Sequence, residues 1–326
     1  MRLLCLFLAS VLAGAARAEP IVITSIPVEA FTLAEPARAA FGPLTFRGGL
    51  VMVSETKEFG GLSGVRVAAD GAGLRGVSDR GRWFEARIVY DGPKPTGVAD
   101  AALHYMLSGN GQRLTRLRSA DAESLEVSET TAWIGIEGGH KVLRFDISGG
   151  LAAAKGNPVK TPAAAANLPF NEGFEAIALV PDGAEKGALL AISESGSAVD
   201  GNHRAWLLSG QTKKPNRELA VKRRDGYAVT DAAFLPGGDL VVLERRYTPP
   251  IFLSMRLRRM KLAEIAEGAL LDGEVLLEAS LPDQIDNMEG LSAHRAADGT
   301  SVLTIISDNN FRGYQRNLLL QFGIAD

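Results

Sequence analysis

Asp79, Glu137, Glu194, Glu244 and Asp308 each close a short apolar run that follows a turn. Further acids stand near the start of the run before the turn. Glu123, Glu172 and Glu289 lie two residues ahead of Leu125, Phe174 and Leu291, and Glu126 and Glu175 directly follow such apolar residues. Where two runs form a hairpin, the start of the first and the end of the second share one edge, so these carboxylates converge. Like charges gathered in this way repel unless they are neutralised. A calcium ion does so with 6–8 oxygen ligands. Glu123, Glu172, Glu194, Glu289 and Asp308, with the amide of Asn309, are the expected Ca²⁺ ligands. Arg80, Arg245 and Arg312 follow the strand-end acids, and a guanidinium fork matches a phosphate as well as a carboxylate. The pattern predicts a small anionic ester gripped by arginine and attacked by a metal-bound water, with no catalytic side chain singled out. The competing role for the same acids is to staple turns and pair with arginines of neighbouring strands.

The elements that position these acids recur. Leu62, Leu125, Phe174, Val229 and Leu291 open five similar sections, at steps of 63, 49, 55 and 62 residues. A repeat of this length, built of four strands, is the mark of a β-propeller blade. The reading is an all-β propeller of five repeats, or six blades if the N-terminal segment adds a degenerate one, with a β-sandwich as the alternative. Trp83–Tyr90, Val142–Ile147, Trp206–Leu208, Ile251–Leu257 and Leu318–Phe322 are expected as third strands. Gln112–Leu117, Pro158–Thr161, Glu218–Lys222 and Val275–Ala279 are expected as outer ones. The last section runs out of chain, and Leu44–Ser54 is expected to supply its fourth strand and close the ring, which removes free sheet edges.

The 326 residues divide into a signal peptide at 1–18, an N-terminal extension at 19–43 and one propeller domain at 44–326. Arg2, the apolar stretch Leu3–Leu12 and Ala16-Arg17-Ala18 form a Sec-type signal with cleavage after Ala18, so the product is expected to be periplasmic or secreted. The one cysteine, Cys5, lies inside that segment, which leaves no disulfide or thiol chemistry to the mature chain. No later stretch reaches the roughly 18 apolar residues of a membrane span. A net charge of −3 gives no footprint for nucleic acid.

Some motifs fail their context. Gly71–Gly76 matches G-x-G-x-x-G but joins two strands, so it reads as a hairpin turn. Ser63 lacks the second glycine of a nucleophile elbow. The histidines His104, His140, His203 and His294 are scattered without metal spacing. Other motifs agree with one another: GGLSG with SDRG, Asp121-x-Glu123-x-Leu125, Asn171-x-Gly-x-Glu-Ala176, Leu243-Glu-Arg245, and D-N-x-E-G with S-D-N-N. Together they resemble the phytase-like, "esterase-like activity of phytase" family of exported bacterial proteins, over about residue 44 to the end. The resemblance implies a propeller akin to calcium-dependent phytases and an esterase or phosphoesterase activity. The chain lacks a dense lysine lining, which points away from phytate towards a smaller ester. A non-catalytic scaffold or ligand-binding propeller, and a lactonase-like propeller acting on a neutral lactone, are the alternatives.

Overall fold

The computed structural model describes residues 18–117, 120–169, 172–194, 200–249 and 252–325. The signal segment 1–17 lies outside the described residues, as do Asn171 and Ile251. Five mainly antiparallel sheets surround one axis. The innermost strands are Leu62–Val67, Ala122–Ser128, Phe174–Leu179, Ala228–Phe234 and Asn287–Arg295. Each of them touches the next, and the fifth touches the first, so the ring is closed at its centre. Blades one to five are numbered in that order.

Closure at the rim takes the expected form. Leu44–Val53 pairs antiparallel with Asn317–Ile324, so the fifth blade combines both ends of the chain. The described residues before it, 18–43, form no sixth blade. Thr24–Val28 adds an edge to Leu44–Val53, and Glu19–Pro20 pairs with the outer strand of blade one. The extension thereby bridges the joint between blades five and one.

Most third and outer strands fall where the repeat places them. Blade one differs. Its outer strand is Lys94–Tyr105, and Leu114–Leu117 is a 3₁₀ turn. The tight turn after Asp91 returns the chain at once, before the second candidate strand is reached. The segment Leu262–Leu271 holds a 3₁₀ turn at Leu262–Glu264 and a two-residue strand, Leu270–Leu271, that joins blade three in parallel. The glycine-rich turn at Ala68–Gly73 is a hairpin, with Asp70 Oδ1 accepting from the N–H groups of Ala72 at 2.9 Å and Gly73 at 3.1 Å.

The core lies between blades, because both faces of each sheet meet a neighbour. Every residue of Leu62–Val67 is therefore buried, although Ser63 and Arg66 are polar. Trp83, Trp133 and Trp206 pack there, Trp83 edge-on to Phe145 at 5.2 Å and Trp206 edge-on to Phe174 at 5.6 Å.

At mid-channel the axis is blocked by one side chain. Arg66, from blade one, donates to the carbonyls of Val65 (2.6 Å), Ile177 (2.8 Å), Ala232 (3.0 Å) and Leu291 (2.7 Å). It also meets Glu126 at 3.2 Å and Asp231 at 3.1 Å. These partners come from all five blades, so a single guanidinium ties the ring together at its axis and divides the channel into two mouths.

Candidate functional site

The geometry of the acidic mouth begins with an irregularity that repeats five times. Each inner strand takes one extra residue against its partner, so the register slips by one. The slips lie between Leu62 and Gly64, Ala122 and Ser124, Phe174 and Ala176, Val229 and Asp231, and Met288 and Gly290. A β-bulge re-aims the side chain it inserts. The inserted residues are Ser63, Glu123, Glu175, Thr230 and Glu289, one per blade.

The second strands supply another set. The residues opposite the bulges are Ser78, Ile136, Ser193, Glu244 and Ser307, and the next residue in each case is Asp79, Glu137, Glu194, Arg245 or Asp308. The mouth thus carries two five-membered sets, and Asp121 and Glu172 join them from the loops that enter blades two and three.

Glu126, expected among the converging acids, instead pairs with Arg66 at mid-channel, and the register corrects the sequence in two further places. Glu244 is not a member of the mouth. It is wholly buried within blade four, where Arg256 and Arg258 donate to it at 2.5–2.9 Å. Arg245 stands in its place, the one cation where four blades bring an acid. Secondly, the counterpart of Glu123 and Glu289 in blade three is Glu175, not Glu172. Three of the apolar openings, Leu62, Phe174 and Val229, lie three residues before the true equivalents of Leu125 and Leu291, which are Val65, Ile177 and Ala232.

Nine carboxylates and one guanidinium at one mouth leave an excess of negative charge, and their proton affinities show it. Burial, followed by Asp121 and Glu194, pushes Glu137 up to about 8. Burial, with Asp308 and Asp121 behind it, raises Asp79 to about 7. Burial raises Glu289 to about 7 and Asp308 to about 6, in both cases against the pull of Arg245. Glu123 and Glu175 lie well above the usual carboxylate range, again through burial first and neighbouring carboxylates second. Arg245 meets Glu289 at 2.8 Å and Glu194 at 3.6 Å and donates to Asn287 Oδ1. It is the internal counter-charge of the ring.

A divalent cation fits this set. One carboxylate oxygen each from Asp121, Glu123 and Glu137 lie within 4.8 Å of one another. Beside them Glu175 Oε1 is buried without a hydrogen-bond partner. An orphaned, proton-loving oxygen next to three converging carboxylates is the donor set of a hard cation. Of the expected ligands, Glu123, Glu172, Glu194, Glu289 and Asp308 all reach this mouth. Asn309 does so differently: its Oδ1 accepts from Gly61 N at 3.3 Å and Phe311 N at 3.1 Å, and so fastens the blade-five loop to blade one.

That fastening needs glycine. Gly61 has φ +62°, and a Cβ there would meet Asp79 Oδ1 at 2.2 Å and Phe311 Cε2 at 2.5 Å. Gly61→Ala is expected to lower stability by about 1–3 kcal/mol in urea unfolding, through both strain and overlap. A variant with the wild-type midpoint would show that the two loops part freely.

The expected anion-binding arginines lie around the mouth. Arg312 is exposed and donates to Tyr314 Oη at 2.7 Å, and Arg80 is stacked on Phe311 with its Cζ 3.2 Å from the ring centroid. A cavity of about 850 Å³ opens beside the ring between blades four and five, with Glu194, Arg245 and Asn287 on its inner side and Arg246, Arg312 and Arg316 around it. His203 is completely buried and held down to about 4 by burial and then by Arg223 and Arg258. His294 sits on an inner strand beyond Arg66, at the opposite mouth.

A family model described as "Phytase-like: Esterase-like activity of phytase" matches residues 57–311. No curated protein matches the chain. Among solved structures, it is similar to the PQQ-bound form of an aldose sugar dehydrogenase from Streptomyces coelicolor, at 11% identity and a TM-score of 0.42, over 94% of this chain and 100% of that one. It is also similar to a putative oxidoreductase (glucose dehydrogenase) from Thermus thermophilus, at 16% identity and a TM-score of 0.36, over 94% of this chain and 99% of that one.

Proposed function

The chain belongs to the phytase-like family, and from that premise we propose that it is an exported, Ca²⁺-dependent hydrolase of a phosphate or related anionic ester. The observation that carries the reading is the pair of acid sets aimed at one mouth by a bulge in every blade, with Asp121, Glu123 and Glu137 in reach of a single ion. Those three would hold the cation. Glu172, Glu175, Glu194, Glu289 and Asp308 surround them, and Asn309 keeps the blade-five loop in place. When bound, the cation supplies Lewis-acid polarisation of an ester oxygen.

The chain's own residues do the rest. Arg245 lies between the acids and the cavity and neutralises Glu289 and Glu194. Arg312 and Arg80, on the outer side, attract the anion and orient it. Arg66 closes the channel below, so solvent reaches the acids from one side only. Burial and its acidic neighbours push Glu137 up to about 8 in the cation-free protein, so an ion that Glu137 helps to hold would displace its proton.

The test is direct. Purified protein is dialysed against a chelator and assayed on a generic phosphomonoester and a short-chain carboxylic ester, with and without Ca²⁺. Turnover of the phosphomonoester that returns with Ca²⁺ is expected. No turnover of either ester, together with no Ca²⁺-dependent rise in melting temperature, sinks the hydrolase and leaves a ligand-binding propeller.

A further inference from the structure

The cavity beside the acidic mouth has two unlike walls. One is basic. Arg246 and Arg312 line it, and neither pairs with a carboxylate among the described residues. The other is apolar and built of Tyr247, Leu253, Leu281 and Tyr314. Tyr247 is 60% exposed and Tyr314 75% exposed, and Leu281 is half-exposed beside them. Large apolar groups left in water around a charged cleft mark a binding surface.

The volume matters as much as the walls. About 850 Å³ is far more than a phosphate needs, and lies within the range of pockets that enclose a small organic molecule. A compact polyanion would use the arginines and leave the tyrosines wet. A neutral apolar ligand would leave the two guanidinium charges unneutralised, since among the described residues Arg246 meets only a carbonyl and the Tyr227 ring and Arg312 only Tyr314. One ligand satisfies both walls: an anionic head joined to a flat apolar body.

Such a ligand has its easiest entry over blade four. Blade four is the only blade that brings no acid to either set, offering Thr230 and Arg245 instead. The cavity opens on that side. An anion approaching over blades four and five therefore meets the least repulsion, and its head arrives at the acids with Arg245 in front of it.

We propose that the site takes the phosphomonoester of an aromatic alcohol, its phosphate held by Arg312 and Arg246 and its ring laid against Tyr314 and Tyr247. This rests on the hydrolase reading for the identity of the head group, and adds the class of the leaving group.

Binding rather than turnover separates the two. Phenylphosphonate and methylphosphonate are titrated calorimetrically into the Ca²⁺-loaded protein. Phenylphosphonate is expected to bind about tenfold more tightly, the gain of one aromatic contact. The double variant Tyr247→Ala/Tyr314→Ala, on exposed positions, should erase that preference and leave methylphosphonate unchanged. Arg312→Gln should weaken both ligands. Equal affinity for the two probes, a preference that survives the tyrosine variants, or no binding of phenylphosphonate overturns the proposal. If phenylphosphonate binds with the expected preference while no ester is turned over, the hydrolase reading fails and the aromatic anion site stands. If a phosphomonoester is hydrolysed but the two phosphonates bind alike, only the aromatic preference fails.

Discussion

Replacing Arg66 by methionine is expected to destabilise the protein by about 3–5 kcal/mol, the cost of stranding a buried charge. For a chain of 326 residues that corresponds to about 4–7 °C in melting temperature. Asp231 is fully buried and Glu126 nearly so, and both lose their cation. Four inner-strand carbonyls lose a donor at the same time. Methionine fills much of the space, so the loss reports charge and hydrogen bonding rather than a void. Two companions sharpen the test. Arg66→Lys keeps the charge but has three donors on one nitrogen instead of a planar fork, and should lose an intermediate amount. Arg66→Met combined with Asp231→Asn removes the charge that was stranded. It should regain part of the loss, because the introduced side-chain amide can still accept from one of the two backbone N–H groups, of Leu291 and Ala232, that Asp231 serves. A single variant with wild-type stability would mean that the axial plug is incidental.

Arg66 also shows what the sequence hides. In Gly64-Val-Arg-Val67 it reads as an outward polar residue of an alternating strand. In a propeller the innermost strand has no outside, and the residue that points away from the blade core points into the axis. The fold itself is open to reading, because blade length, strand-turn-strand grammar and the need to close the ring are all carried by local pattern. The acidic mouth is open in outline for the same reason. Register is what escapes. A bulge inserts one residue and reverses the inside–outside parity beyond it. An apolar residue before the bulge, such as Phe174, and one after it, such as Leu125, then look alike. Glu175 thereby falls beside the apolar slot instead of in the acidic set, and Leu243-Glu-Arg245 reads one residue short. Glu244 looks like another strand-end acid until the strand is seen to run on to Thr248. Its buried arginine partners, Arg256 and Arg258, come from the third strand, where no spacing rule links them to it.

The second large effect is the joint dependence of stability on pH and Ca²⁺. An acid whose pKa is higher in the folded than in the unfolded state binds its proton more tightly when folded. Its contribution favours folding at low pH and is lost as pH rises through the folded value. Glu137 at about 8, Asp79 and Glu289 at about 7 and Asp308 at about 6 all have this sign. The cation-free protein should therefore melt higher at about pH 6.5 than at about pH 8. Below about 6.5 a contrary contribution begins, because His203 and His294 are held below their ordinary values and lose stability as the unfolded imidazoles take up protons. Comparing pH 8 with pH 6.5 isolates the carboxylates. Calcium competes with those same protons, so it should stabilise most at the higher pH. At a hundredfold excess over Kd the gain is about 2.7 kcal/mol, or about 4 °C for a chain of this length. At pH 6.5 the gain should shrink. Glu123→Gln and Glu137→Gln should each flatten the pH dependence of the cation-free protein and weaken the Ca²⁺ shift, since each removes one repelling charge and one ligand together. A cation-free melting temperature that stays level or falls from pH 8 to pH 6.5, with no response to Ca²⁺ at pH 8, would mean that the carboxylates are neutralised within the protein and await no ion.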